Sequence, residues 1–336
     1  MKVLLYFESE NLLKTSGIGR AQAHQLKALQ LHGIETTTDP NDDYDILHIN
    51  TYGLNSTSII SKAKELNKPV IYHAHSTEED FRNSFLFSNQ ISPVYKKRLV
   101  SLYSMADYII TPTPYSKNLL ESYGISVPIN AISNGIDLNR YQYNEDKVKA
   151  FRKYFNLNED SKVVISVGLY FERKGLLDFI EVCKMLPQYT FIWFGYTNPI
   201  FIPKNMKDAL NYYPDNLILP GYVKGPIIEG AYLDSDCFFF PSYEETEGIV
   251  VLEALASKTK IVLRDIPVYD PWMKDKVNCY MGKNNKEFAL LVENVVENKL
   301  EDLTNEGYKL ALSKSLDNIG ITLKQVYNKV LNNEFK

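Results

Sequence analysis

Two carboxylates eight residues apart, Glu245 and Glu253, with Gly248 between them, are the groups in this chain best placed to do chemistry. They lie in Asp236-Cys-Phe-Phe-Phe-Pro-Ser-Tyr-Glu-Glu-Thr-Glu-Gly-Ile-Val-Val-Leu-Glu-Ala-Leu-Ala256. A glycine at a helix start lets a ligand approach the backbone, and the free N–H groups there bind anions. Acids beside such a seat cannot favour a phosphate by charge, so they read as acceptors for hydroxyls of a ribose or a sugar ring. A second charged turn, Gly168-Leu-Tyr-Phe-Glu-Arg-Lys-Gly175, places Arg173 and Lys174 after another glycine. Lys174 can neutralise a diphosphate as a point charge, and Arg173 can grip one in bidentate fashion. Together these groups suit a sugar nucleotide.

The elements that must position them follow from pattern. Cys237–Phe240 is a continuous apolar run, the mark of a strand buried on both faces, and Pro241 ends it. Ile249, Leu252 and Ala256 repeat with helical spacing after Gly248. Val163–Val167 is the strand that leads into Gly168. In the first half, Val3–Phe7 reads as a strand, Ser16-Gly-Ile-Gly-Arg20 as a glycine loop, and Ile18–Leu31 as a helix stopped at Gly33. Further strands are expected at 45–50, 69–72, 106–113 and 129–133, then at 191–195, 216–223 and 260–263. Strands alternating with helices imply doubly wound parallel sheets, whose ligands bind beyond the carboxyl ends of the strands. The polar endings Asn50-Thr51 and His73-Ala-His75 therefore face a site. The Gly17–Gly19 pair lacks the third glycine and the later acid of a dinucleotide fingerprint, which argues against a redox enzyme.

Glu245 and Glu253 in Glu-Thr-Glu-Gly-Ile-Val-Val-Leu-Glu-Ala-Leu-Ala, preceded by Phe-Pro-Ser, resemble the E-x7-E signature of retaining GT-B glycosyltransferases of family four. The resemblance covers nearly the whole chain. It implies an α/β GT-B fold, two Rossmann-like doubly wound domains facing across a cleft. The first would span 1–155 and bind acceptor; the second, 156–317, would bind the nucleotide sugar. The last helix, about 318–336, would pack back on the first. Asn134-Gly-Ile-Asp137 resembles the family's boundary motif. By the same resemblance Glu245 holds the donor sugar hydroxyls and Glu253 the ribose. Lys174, Arg173 and the N–H groups at Gly248 and Ile249 stabilise the leaving UDP, Gly17 and Gly19 border the donor phosphates, and His75 reaches the donor sugar. Gly221, Tyr222 and Val223 match the segment against the nucleotide base. Leu169 stands where the family usually has arginine, so Arg173 is the candidate to supply that charge. The implied reaction is transfer of galactose or glucose from UDP-galactose or UDP-glucose with retention, by same-face attack or by double displacement through Glu245.

Acceptor and location follow from other segments. Tyr95, Leu99, Leu102, Tyr103 and Ala106 form one helical face after Pro93, with Lys96, Lys97 and Arg98 off it. Periodicity alone describes an ordinary amphipathic helix; aromatics before a basic cluster also suit an anionic lipid surface. Asp80-Phe-Arg-Asn-Ser-Phe85 and Glu8-Ser-Glu-Asn-Leu-Leu13 resemble the family branch that glycosylates bacterial diacylglycerol lipids. That implies a monoglucosyl-diacylglycerol acceptor and a diglycosyl product able to anchor lipoteichoic acid. A soluble acceptor, or a sugar-nucleotide binding protein without activity, are the competing readings. Three dispersed cysteines and the absence of a leader pattern suggest the cytoplasm, on the inner face of the membrane. A net charge of −4 gives no field for nucleic acid. Asp234-Ser-Asp236 has the D-x-D form of a metal motif but sits at the entry of a buried strand, and no metal or bound cofactor is expected.

Overall fold

The computed structural model describes residues 1–8, 16–270 and 272–334. The family-like stretch Ser9–Leu13 and the last two residues of the expected terminal helix lie outside them. The chain divides into two compact units. One comprises Met1–Glu79, Ile91–Asp137 and Ser313–Lys336; the other comprises Asp80–Gln90 and Leu138–Leu312.

In the first unit, β1 (Lys2–Tyr6), β2 (Glu35–Thr37), β3 (Ile46–Ile49), β4 (Val70–His73), β5 (Tyr108–Thr111) and β6 (Ile129–Ala131) form a parallel sheet in the order β2-β1-β3-β4-β5-β6. Its period of two sorts the side chains onto both faces. Val3, Leu5, Ile46 and Ile71 pack with Leu29, Ile319 and Leu323, from helices Gly17–Leu31 and Leu316–Leu331. Leu4, Leu47, Val70 and Tyr72 pack with Ile60, Leu99 and Leu102, from helices Ser56–Glu65 and Ser88–Tyr103. A sheet covered on both faces needs apolar runs, and β3 to β5 supply them.

In the second unit, β7 (Val163–Val167), β8 (Thr190–Phe194), β9 (Leu217–Gly221), β10 (Cys237–Phe240), β11 (Ile261–Arg264) and β12 (Tyr280–Gly282) are again parallel, in the order β12-β11-β10-β7-β8-β9. The order reverses between β7 and β10. The loops leaving those two strands therefore part, which is where open α/β sheets hold ligands. The three-residue strands β2 and β12 are additional to those read from the sequence. The glycine pair also falls differently from expectation: Gly17 and Gly19 lie in the first turn of helix Gly17–Leu31, not in a loop before it, because the Ser16 side chain accepts from the Gly19 N–H at 3.3 Å and caps the helix there.

Candidate active site

The carboxyl ends of β7 and β10 carry the chemistry of the second unit. After β7 the chain turns through a 3-10 segment, Glu172–Lys174, into Gly175 at φ 77°. A side chain at Gly175 would place Cβ 2.3 Å from the Pro241 carbonyl oxygen, so only glycine lets this turn approach the end of β10. That approach puts Lys174 Nζ 2.5 Å from Glu245 Oε1, and the same oxygen accepts from Ser242 Oγ at 2.7 Å. Burial pulls the Lys174 pKa below the ordinary lysine range, against the opposing pull of the Glu245 carboxylate.

Arg173 is buried and largely committed. Its Nε donates to Ser84 Oγ at 2.7 Å, and Nη1 reaches the Glu244 carbonyl at 3.1 Å and Asp80 Oδ1 at 3.0 Å. Burial raises the Asp80 pKa, and the Arg173 cation works against that rise. The fork expected to grip a diphosphate is thus turned onto protein, with Nη2 left over. The Arg173 N–H also donates to the Asn83 carbonyl at 3.0 Å. Arg173 therefore fastens segment 80–90 to the loop carrying Glu245.

Helix Ile249–Ala256 begins at Gly248, φ 86°, a residue with no side chain of its own to cap the first turn. Uncapped N–H groups at a helix start suit an anion. The buried hydroxyl of Tyr269 has no hydrogen-bond partner among the described residues and lies 3.7 Å from where a Gly248 Cβ would stand. One turn on, Glu253 is fully buried and accepts from the Tyr232 hydroxyl at 2.8 Å. Gly221 ends β9 at φ 76°, with open space where its Cβ would be, and Tyr222 beyond it is exposed. Asp234 pairs with Arg152 at 2.7 Å; Asp236 pairs with Lys162 at 3.2 Å and accepts from the Val163 N–H at 2.8 Å. Asp236 of the D-x-D thus fastens the amino end of β7, and Asp234 ties the end of helix Pro226–Asp234 to helix Glu145–Tyr154. Among the described residues no cluster of three or more His, Cys, Asp or Glu forms a metal site.

In the first unit the polar strand endings meet. His75 Nε2 lies 2.9 Å from Asn50 Oδ1, and the His75 ring stacks on His73 at 4.0 Å. Burial lowers the His75 pKa to about 3. The basic cluster of helix Ser88–Tyr103 does not act as one patch. Lys96 pairs with Glu78 at 3.2 Å and lies over the Tyr123 ring, and Arg98 donates to Thr57 Oγ1 and the Gly53 carbonyl. Lys97 alone of the three is exposed, beside Ile91 and Val94, which are 45% and 70% exposed.

Asp80, Ser84, Ser242, Tyr232 and Tyr269 were not singled out for the second site, nor Gln25, His48 and Tyr327 for the first. Gln25 had a signal: it is a polar residue within an otherwise apolar helix stripe. Ser242 stands three residues before Glu245, within reach of a spacing argument; the others lie too far along the chain from their partners for any spacing to join them.

Comparison with known proteins agrees with this architecture. Residues 20–140 match the model described as Glycosyltransferase Family 4, and residues 147–310 match Glycosyl transferases group 1. The chain is 50% identical to the processive diacylglycerol alpha-glucosyltransferase of Acholeplasma laidlawii, over 98% of this chain and 99% of that one. It is 24% identical to the alpha-galactosylglucosyldiacylglycerol synthase of Streptococcus pneumoniae, over 82% and 75%. Among solved structures, Anabaena HepE in complex with UDP and glucose superposes with a TM-score of 0.76 at 16% identity, covering 98% and 99%. Sucrose-phosphate synthase from Thermosynechococcus elongatus does so with 0.80 at 14% identity, covering 99% and 100%.

Proposed function

Since the chain belongs to the GT-B glycosyltransferases that join a family 4 domain to a group 1 domain, we propose that it transfers glucose from UDP-glucose to a diacylglycerol-based membrane lipid with retention, giving an α-glucosyl lipid. The observation that carries this reading is the buried Lys174–Glu245 pair in the loop that leads to the glycine start of helix Ile249–Ala256. A cation and free N–H groups at one strand switch suit a leaving diphosphate, and charge stabilisation there is the main catalytic term such a site can supply. Glu245, held by Ser242, accepts from donor-sugar hydroxyls; Glu253 serves the ribose once Tyr232 shares it. Gly221, Tyr222 and Val223 border the base. His75 takes a substrate hydroxyl. Glucose is preferred to galactose because the relative at 50% identity bears a glucosyltransferase name, and its processivity suggests that the glucosylated lipid also serves as acceptor.

Surface composition supports a lipid acceptor. In the second unit Leu86, Phe87, Ile200 and Phe201 are exposed, and the Leu86 N–H donates to the Phe201 carbonyl at 2.8 Å, joining their loops. Phe87 keeps φ at 68°, a costly angle for a bulky residue. Among the described residues no helix is long and apolar enough to cross a membrane, so attachment would be peripheral.

The test is transfer of label from UDP-glucose and UDP-galactose, in parallel, to anionic vesicles containing diacylglycerol or its monoglucoside. Labelled α-glucosyl lipid from UDP-glucose is expected, and Glu245→Ala abolishes it. Label appearing only in soluble saccharides, or no transfer while UDP binds, would refute the lipid reading.

A further inference from the structure

A column of polar side chains crosses the interior of the first unit at the ends of β3 and β4. His48, Asn50, His73 and His75 share one sheet face by the period of two. Helices Gly17–Leu31 and Leu316–Leu331 cover that face with Gln25 and Tyr327. All six side chains are more than nine-tenths buried. The rings stack in sequence, His48 on His73 at 5.4 Å and His73 on His75 at 4.0 Å, with interplanar angles of 26° and 14°. They therefore do not converge on one point as metal ligands must. Neither ring nitrogen of His73 has a hydrogen-bond partner, which leaves stacking as its contact with its neighbours.

The hydrogen bonds run in one direction. Asn50 Nδ2 donates to Gln25 Oε1 at 3.0 Å, so Asn50 Oδ1 is the end that faces His75 Nε2, at 2.9 Å. An amide oxygen only accepts, so Nε2 must carry the proton. Gln25 Nε2 is then free to donate into the His48 ring, whose nitrogens lie 2.9 and 3.0 Å away. His48 Nδ1 in turn lies 2.7 Å from the Tyr327 hydroxyl, which ties the ring to the last helix. The direction is set where Asn50 meets Gln25 and His75, while His48 and Tyr327, whose ring nitrogens and hydroxyl can donate or accept, anchor the far end of Gln25.

We propose that Asn50 and Gln25, anchored through His48 to Tyr327 of the last helix, are positioning residues that hold His75 as its Nε2–H tautomer and present a bare Nδ1 to a ligand hydroxyl. The His73 ring sets the plane of that lone pair by stacking. Nδ1 has no partner among the described residues, so the atom left to a ligand is an acceptor. An acceptor rewards a hydroxyl donor and repels a phosphate oxygen, so this end of the unit selects the sugar part of a substrate. Only the identity of that hydroxyl as a hexose's rests on the transferase reading above.

The test is long-range proton–nitrogen correlation on the full chain labelled with 15N-histidine. His75 is expected to show a protonated Nε2 and a bare Nδ1. Asn50→Asp, whose carboxylate still accepts from Nε2 although it can no longer donate to Gln25 Oε1, keeps the proton on Nε2. Asn50→Ala loses it and lowers kcat for transfer from UDP-glucose by about tenfold to a hundredfold, the scale of a misplaced contact. A protonated Nδ1 in the wild type, or an unchanged tautomer in Asn50→Ala, overturns the proposal. Because the spectrum needs no substrate, the predicted tautomer without any hexose transfer would sink the transferase reading alone. Transfer with the opposite tautomer would sink this inference alone.

Discussion

The Lys174–Glu245 pair makes an asymmetric prediction. Side-chain exposures of 15% and 7% leave little solvent to screen either charge. Lys174→Met strands the Glu245 carboxylate with Ser242 Oγ as its remaining donor. Breaking a buried pair by removing one partner costs about 3–5 kcal/mol, and the retained Ser242 bond places this case near the lower limit, about 3 kcal/mol. Glu245→Gln is milder. Lys174 is already drawn below the usual lysine range by burial, so it can shed its proton and accept from or donate to the new amide. That variant should lose about 1 kcal/mol, the scale of one exchanged hydrogen bond. Both tryptophans of the chain, Trp193 and Trp272, lie in the second unit, so their fluorescence under urea reports the unit that holds the pair. The sign with pH follows from linkage. Between the lowered native pKa and the ordinary lysine value of 10.5 the unfolded chain binds more protons, so stability rises with pH. Glu245→Gln removes the largest influence that holds the pKa up, so its rise should begin at lower pH than in the wild type. Equal losses in the two variants, or identical pH profiles, would show that the pair is not the buried, partly neutralisable unit described here. Transfer should fail in both variants whatever their stability.

Other expectations are as direct. Gly175→Ala forces a Cβ to 2.3 Å from the Pro241 oxygen at φ 77° and should cost about 2–4 kcal/mol from left-handed strain plus overpacking, measured by the same urea titration. Because the turn carries Lys174, affinity for UDP-glucose should fall with it. Tyr269→Phe removes a buried hydroxyl without a partner, so the ligand-free protein should be as stable or more stable; calorimetry should show weaker UDP-glucose binding if the hydroxyl meets ligand at Gly248. His48 and His75, held to about 3 by burial, favour the folded state above the unfolded histidine pKa and lose that contribution as pH falls from 6.5 towards 3. Each adds a slope approaching about 1.4 kcal/mol per pH unit in that window. His73, lowered well below 6.5, adds to the slope, and His73→Phe should reduce it while keeping the stack, as read by amide exchange in β3 and β4.

The local pattern of this sequence was enough for most elements. Cys237–Phe240 reads as a buried strand from its unbroken apolar run, and Ile249–Ala256 as a helix from its spacing after Gly248. The E-x7-E glutamates and Lys174 could be named as candidates because they lie in or just after strand-to-helix turns. Strands β2 and β12 were not read, since Glu35-Thr-Thr37 is polar and Tyr280-Met-Gly282 ends in glycine, so neither forms an apolar run. Nor could partnerships be read from spacing. Lys174 and Glu245 are 71 residues apart and meet because β7 and β10 pair in the middle of a parallel sheet. Arg173 looked like a free phosphate ligand, yet the fold brings Ser84 and Asp80 to it and occupies most of its fork. Lys96 and Arg98 looked like surface charge, yet Glu78, Thr57 and Gly53 take them up. The protonation of His75 was least legible of all. It depends on Asn50, Gln25 and His48, and the chain ends at Tyr327, 279 residues beyond His48, because the last helix packs on the first sheet. Propensity and period act over a few residues and so determine elements; buried charges and hydrogen-bond direction depend on what the fold sets beside them.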